Sequence, residues 1–522
     1  MLSPIVFYFR LFGGFFQQDE WFSFSWYVQH QDSLRYIWTA SITHYNPLTV
    51  LANHLFFSLW NMDYQAFLLV SLLLHSIVLI LIYILAKEIF KKDWQAAITA
   101  FLFGIFAAHY QGTAWVVVDI STHLATIFGI LSATLFLRRR LHFSLVLLII
   151  SLLFKEITIG LFPLYLFAQI LIFKKEKQTR KYSQIIVAVG AVYILVRILM
   201  LFGPYTSDQI VTQSLDVPRL VYNLITVPMK AVSQSILPPE FLLVVANVLG
   251  KFFPEKVTGG FGSPAFDMFV VKRVLEVTSL LSALIIAFWV TITKKRSKAV
   301  VFSLGWVLLN SLIFAFAPGR TGVIFTIDSR NLYFVSVGSA IMLAAVLGEI
   351  KRNSRNRAIL LFLIILIPNL YFLNKNLEIF AERGRVRKSI LNSIVQTIPN
   401  LPNKVVIYTQ SDQSYYGLPP EEKILPFQSG LGQTLLAWYY PTEKFPKEFF
   451  EDRFLWEIES QGYQEVGNRG FGYFRDKDLL KKAVKQYNLP EESVVSFSWN
   501  GKRNLLTNIT DEVRQEIYVQ KN

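Results

Sequence analysis

The sequence predicts an all-α polytopic membrane protein of about eleven transmembrane helices, followed by a small extracytoplasmic α/β domain. Three observations carry this prediction. Of 522 residues, 53% are apolar and 15% aromatic, and the mean hydropathy is +0.41. Only 17% are charged, against about 25% in a typical soluble domain. Apolar runs recur along the first 373 residues, and the basic residues between them fall in a sided pattern. This composition excludes a soluble globular or a disordered chain. With no cysteine, disulfides, thiolate metal sites and cysteine nucleophiles are excluded as well.

The runs lie at 65–86, 95–108, 120–137, 143–154, 157–173, 184–202, 275–293, 299–317, 333–348 and 358–373. The formal charge of +15 suggests nucleic acid until it is placed. Residues 374–522 hold 20 basic and 19 acidic groups, so the surplus belongs to residues 1–373. Five short stretches carry it: Lys87–Asp93, Arg138–Arg140, Lys174–Lys181, Lys294–Lys298 and Glu349–Arg357, with 19 basic and 4 acidic residues together. Such a bias assigns these loops to the cytoplasm. It leaves no folded basic surface for a nucleic acid.

Parity follows from those loops. A single helix over 142–173 would put its two basic ends on opposite sides, so the segment is read as a hairpin turning at Lys155-Glu156. The same reasoning turns 95–137 near His109–Asp119. Asp19-Glu20, His109, Asp119, Lys155-Glu156, the segment 203–273 and Asp328–Arg330 then share the extracytoplasmic face. Ionisable groups at membrane depth cost about 2.5–3.5 kcal/mol each on insertion scales, so their convergence suggests a shared polar cavity.

Residues 1–16 would reach only about 24 Å as a helix and contain Arg10. Either the first helix is short and tilted, or the true start lies upstream. The expected organisation is a membrane domain over 1–373 with external loops 17–64 and 203–273, and an extracytoplasmic domain over 374–522. Within the second loop, 218–236 is amphipathic and suits the interface, while the apolar run 241–249 is too short to span. The C-terminal part shows a buried strand at Val405–Tyr408, helical patterns near 377–397 and 478–487, and a Gly/aromatic stretch at 466–474.

Four constellations are candidates for chemistry. Phe15-Phe16-Gln17-Gln18-Asp19-Glu20-Trp21 sets two carboxylates directly after an apolar segment. Adjacent acids point different ways, so one can face a substrate while the other meets a partner, and a carboxylate can act as general base toward a hydroxyl. A solvated helix end is the plainer alternative. Asn46-Pro47-Leu48-Thr49 is followed by His54, on an interfacial helix, and by His75, whose simplest role is a hydrogen bond to a neighbouring helix. Lys155-Glu156 can be interfacial snorkelling or a functional pair, each member needing its own partner. Asp328-Ser329-Arg330-Asn331-Leu332-Tyr333 offers a guanidinium fork suited to phosphate, or an interfacial Arg/Tyr anchor. No P-loop, Rossmann fingerprint or HExxH occurs. A divalent metal on His and carboxylates has no diagnostic spacing to support it, so no cofactor is indicated.

Read in order, these stretches resemble the C-type polytopic glycosyltransferases (GT-C), in particular the protein O-mannosyltransferase-like branch that uses polyprenyl-phosphate sugars. Four matches carry the resemblance over residues 15–350. They are the acidic pair Asp19-Glu20, Tyr45-Asn46-Pro47-Leu48-Thr49 leading to Leu72-Leu73-Leu74-His75, Leu153-Phe154-Lys155-Glu156 with Pro163, and Ser329-Arg330-Asn331-Leu332-Tyr333-Phe334. The chain departs from the family at His109-Tyr110-Gln111-Gly112-Thr113, where His-Pro and a Glu are usual. An Arg common shortly afterwards is missing, with Asp119 nearby, and Ser329 replaces a Glu.

The resemblance implies an inverting transfer from a polyprenyl-phosphate-linked sugar, mannose in the family, to a hydroxyl of a protein, glycan or lipid. It makes Asp19 the base and Glu20 its neighbour in orienting the acceptor. Arg330 and Lys155 meet the donor phosphate, while Glu156, His109, Asp119 and His54 are further cavity candidates. The setting would be a bacterial or archaeal plasma membrane, with membrane lipid and donor as partners and no nucleic acid. Two other classes compete. A transporter or flippase of lipid-linked sugars should place charges at the bilayer midplane and show inverted repeats. An inactive scaffold would recruit partners through residues 374–522.

Overall fold

The computed structural model describes residues 3–39, 44–173, 178–202, 217–252, 264–292, 298–316, 327–416, 418–428, 430–451 and 461–519. They are mostly helical and fall into two compact units. One comprises residues 1–10, 35–51 and 68–378, the other 11–34, 52–67 and 379–522.

The elements run α1 (Ser3–Tyr8), α2 (Gln18–His30), α3 (Pro47–Trp60), α4 (Tyr64–Phe90), α5 (Asp93–Ile105), α6 (Gln111–Ala114), α7 (Val118–Leu137), α8 (Leu141–Phe154) and α9 (Leu161–Leu171). They continue as α10 (Thr179–Leu201), α11 (Val217–Gln234), α12 (Pro239–Phe252), α13 (Pro264–Ile292), α14 (Lys298–Ser311), α15 (Ser329–Asn353) and α16 (Arg355–Thr397). Among the described residues, five helices are long and apolar enough to cross a membrane: α4, α7, α10, α15 and α16. Four more, Leu141–Phe154, Glu156–Leu171, Val277–Ile292 and Phe302–Phe316, are apolar but shorter. The expected eleven spans are therefore not all met at full length. A helix of 13 or 14 residues such as α5 or α8 rises only about 20 Å, short of a hydrocarbon core of about 30 Å.

The larger unit has an apolar core crossed by a few interhelical polar contacts, and an apolar exterior, as suits a bundle whose solvent is lipid. Phe143, Val146, Ile194, Leu195, Leu199, Leu280, Leu284, Leu360, Ile364 and Ile367 are all exposed. Inside, the Ser132 hydroxyl meets that of Tyr165 (2.7 Å) and Ser235 meets Ser339 (2.6 Å). Each bond joins two helices by groups that lipid cannot satisfy.

Both reversals expected from charge parity are present. Glu88, near the end of α4, binds Arg138 at the end of α7, while Lys87 binds Asp93 at the start of α5 (2.8 Å). Both ends of 93–137 therefore lie at one level, and the turn between them is formed by Ala107–His109 and α6. Likewise Arg139 donates to Gln169 (3.2 Å) and covers the Phe173 ring, so both ends of 141–173 coincide. The chain breaks between them at Lys155, which is extended (φ −163°, ψ 141°). Lys351, in the last turn of α15, lies over Trp94 (4.0 Å), bringing a third basic loop to the same end. Lys174–Lys177 and residues 294–297 lie outside the described residues.

Helix α16 is 43 residues long. It runs from the apolar stretch 358–373 through the charged pattern 377–397 without interruption, and the boundary between the units falls inside it, after Glu378. The smaller unit holds a five-stranded sheet in the order β2-β3-β1-β4-β5, with β1 (Lys404–Ser411), β2 (Gly462–Val466), β3 (Arg469–Phe474), β4 (Val494–Asn500) and β5 (Leu505–Asn508). β1 is parallel to both of its neighbours, and two antiparallel hairpin partners close the edges. The fully apolar run Val405–Tyr408 is what a strand covered on both faces requires. The Gly/aromatic stretch becomes β3, entered through Gly467 at φ +62°, a turn conformation that favours glycine. Helix α17 (Leu431–Glu443) and α18 (Lys477–Gln486) pack in this unit, where Leu480 and Val484 meet Val406 and Val494.

The native chain has no cysteine, so single cysteines report sidedness directly. Lys91→Cys and Asp328→Cys, both at exposed positions, are expected to react with an impermeant maleimide from opposite sides of sealed vesicles. Labelling of both from one side would refute the two-ended bundle.

Candidate functional site

The sequence-predicted residues divide between the two units, and each group has its own geometry. In the larger unit, the first residues of α7 join two of the expected cations. Lys155 donates from Nζ to Thr122 Oγ1 (2.7 Å). One turn earlier on α7, the buried Asp119 accepts from the backbone N–H of Trp115 (3.0 Å). The Arg330 guanidinium lies over the Trp115 ring at 4.7 Å. Lys155 and Arg330 thus both attach to the short segment 115–122, at the end of the bundle away from the paired basic loops. An α-helix N-terminus adds partial positive charge there.

Glu156 is 5% exposed, and its carboxylate is shared by three partners. It accepts from the backbone N–H of Tyr45, with His44 Nδ1 at 3.4 Å and Arg197 at 3.8 Å. Thr49 donates to the Phe154 carbonyl in the same region. Lys155 and Glu156 therefore have different partners, as their adjacency demands, although the backbone at Lys155 is extended and not helical. Arg197 was not anticipated. Its signal in the sequence is a lone cation inside the apolar run Tyr193–Leu201, which in a membrane helix points to a polar partner.

His109 is fully buried in an aromatic cluster. Its ring stacks on Phe103 (4.4 Å), meets Tyr333 edge-on (5.0 Å), and places Nε2 3.0 Å from the Phe103 carbonyl. His75 and His123 also surround Tyr333, and the Tyr333 hydroxyl is 2.6 Å from His75 Nδ1. Gln111 N–H donates to Ser329 Oγ (3.3 Å) on the turn before. This cluster depends on the glycine at position 112. A Cβ on Gly112 would lie 2.5 Å from the Tyr333 ring, so the glycine lets α6 approach α15 closely. Tyr333 is one turn beyond Arg330, so the cluster fixes the helix that carries that guanidinium.

In the smaller unit, Asp19 and Glu20 occupy the first turn of α2. Asp19 is half-buried, whereas Glu20 is fully buried and accepts from the backbone N–H of Gln17. Phe15, Phe16 and Trp21 pack against one another, and Phe15 and Trp21 both contact Trp438 of α17. Gln433 donates to Ser25 Oγ (3.1 Å). Helix α16 touches the same segment at Gly384, where a Cβ would lie 2.6 Å from the Phe15 nitrogen. His54, on α3, meets the Tyr27 ring at 5.3 Å. Among the described residues, no three His or carboxylate side chains gather as a metal site.

Two substitutions test this geometry. Glu156→Ala leaves Arg197 and the Tyr45 N–H without their acceptor and is expected to cost about 2–4 kcal/mol, read as a lower melting temperature in detergent. Combined with Arg197→Ala, the loss should be smaller than the sum of the two single losses. Gly112→Val should destabilise through the Tyr333 ring, and Gly112→Val with Tyr333→Ala should recover part of the loss. No protein-family model matches the chain, and a search of curated proteins finds no significant match.

Proposed function

We propose that the chain is an inverting glycosyltransferase, moving a sugar from a polyprenyl-phosphate donor to a hydroxyl acceptor at the extracytoplasmic membrane face. The observation that carries this reading is the attachment of Lys155 and Arg330 to the same segment, 115–122, at the end of the bundle away from the paired basic loops. On the positive-inside rule the basic loops face the cytoplasm, which turns this end outward.

Chemically, the two cations suit a leaving group that gains negative charge. As the bond from the anomeric carbon to the phosphate oxygen breaks, a preorganised ammonium and guanidinium stabilise the departing lipid phosphate. No general acid is required, since a phosphate leaves as an anion. The acceptor hydroxyl forms the new bond at the anomeric carbon from the opposite side, inverting the configuration, and gives up its proton to a base, the role that the family resemblance gives to Asp19. Asp19 is half-buried in the first turn of α2, which leaves its carboxylate accessible. Glu20 acts differently. Fully buried, it secures the first turn of α2 and so orients Asp19. Glu156 fixes the loop beside Lys155, and His109 and Asp119 fix the segment that Arg330 covers. The donor sugar is mannose on the family's pattern, and the acceptor is a protein, glycan or lipid.

Membranes supplied with radiolabelled polyprenyl-phosphate mannose test the proposal. The parent should pass label to an acceptor or to water. Asp19→Asn, at equal expression, should lower the rate about 100-fold or more, and Lys155→Gln or Arg330→Gln about 100- to 1,000-fold. Parent-like transfer by Asp19→Asn would remove Asp19 as base. A parent that transfers no sugar from any polyprenyl-phosphate donor would overturn the assignment.

A further inference from the structure

Arg387 lies outside every motif considered above. It is 5% exposed on α16, one turn beyond the glycine that meets Phe15. Glu20 and Arg383 both lie within charge–charge range of its guanidinium. The Tyr416 hydroxyl accepts from it while donating to the Pro426 carbonyl (2.8 Å). Among the described residues, its Nε and Nη2 have no hydrogen-bond partner.

Leaving two buried N–H donors unmet is costly, and such groups in a native structure call for a partner such as a water, an ion or a ligand. Glu20 balances the charge of Arg387, but one of its oxygens is already taken by the Gln17 N–H. Arg383, exposed beside the pair, leaves the cluster with one surplus positive charge. Tyr416, 42% exposed, forms its outer edge. The unmet demand is for an oxyanion with several acceptor oxygens, which a guanidinium fork engages two at a time.

We propose that Arg387 and Arg383 form a subsite for a phosphate group carried by the acceptor. The assignment to the acceptor rests on the function proposed above. Glu20 is the immediate chain neighbour of Asp19, the residue to which the proposed function gives the acceptor's proton. The acceptor is then an anionic molecule whose reacting hydroxyl lies close to a phosphate, either a lipid or a water-soluble glycan phosphate.

Binding to the full-length protein in detergent tests this without requiring turnover. The probes are dodecyl phosphate in micelles and a hexose 6-phosphate in solution, with thermal stabilisation and calorimetry as readouts. At least one should bind the parent, and which one binds tells a lipid from a soluble acceptor. Arg387→Gln alone strands Glu20, so the charge-neutral Glu20→Gln/Arg387→Gln pair is the decisive variant. It should elute as a folded protein and bind at least tenfold more weakly, and Arg383→Gln should weaken binding to a lesser degree. Dodecyl phosphate also suits the donor site, so Arg330→Gln serves as the background that removes that site, and the Arg387-dependent binding should persist in it. The subsite is refuted if the folded double variant binds like the parent, or if neither probe binds the parent at millimolar concentration. It is also refuted if Arg330→Gln, and not the double variant, abolishes binding; in that case the donor-phosphate assignment still stands.

Discussion

The buried Glu156 carboxylate is the constraint on which the larger unit's functional end depends. A broken helix at membrane depth exposes backbone and charge that lipid cannot satisfy. The break at Lys155 is tolerable because Glu156 accepts from the Tyr45 N–H and pairs with Arg197 and His44. The same arrangement ties the start of α3, the break before α9 and the end of α10 to one point. With Glu156 so occupied, Lys155 turns to Thr122 and reaches the first turn of α7. Adjacent residues of opposite charge thus do separate work, one holding the loop and the other presenting a cation.

A second network works in parallel on the other cation. Tyr333, ringed by His75, His109 and His123, locks α15 against α4, α6 and α7. Buried polar side chains of this kind specify register in a medium where apolar contact alone is weakly selective. Arg330, one turn away, inherits its position over Trp115 from that packing. In the smaller unit the equivalent roles fall to aromatic residues. Phe15, Trp21 and Trp438 contact one another at the first turn of α2, where Glu20 is fully buried and Asp19 half-buried.

Much of this was legible in the sequence because charge and hydropathy obey the membrane's own rules. The reversals at 106–117 and at Lys155 followed from the parity of basic loops, and Val405–Tyr408 announced a central strand by its unbroken apolar run. The span count was less legible, since short apolar runs such as 95–108 and 143–154 were counted as spans, and α5 and α8, with 13 and 14 residues, are about as short as those runs. The segment 374–397 read as the start of a separate domain, yet α16 continues through it because nothing in that stretch breaks a helix. Long-range partners were invisible. No periodicity links Trp438 to Trp21, Arg197 to Glu156 or Arg387 to Glu20, since each pair is made by tertiary packing between segments far apart in the chain. The lone Arg197 in an apolar run was the one available hint. His75 was read as a structural polar group within a helix, and its bond to Tyr333 fits that reading.

The chemistry proposed here turns on whether the bond between sugar and lipid phosphate is broken. Proteoliposomes loaded with a doubly labelled polyprenyl-phosphate sugar, with one isotope in the sugar and another in the lipid, answer that directly. The account expects the two labels to part, leaving free polyprenyl phosphate in the membrane and sugar on acceptor or in water. Intact lipid-linked sugar crossing the bilayer with both labels together would contradict it and make the protein a transporter.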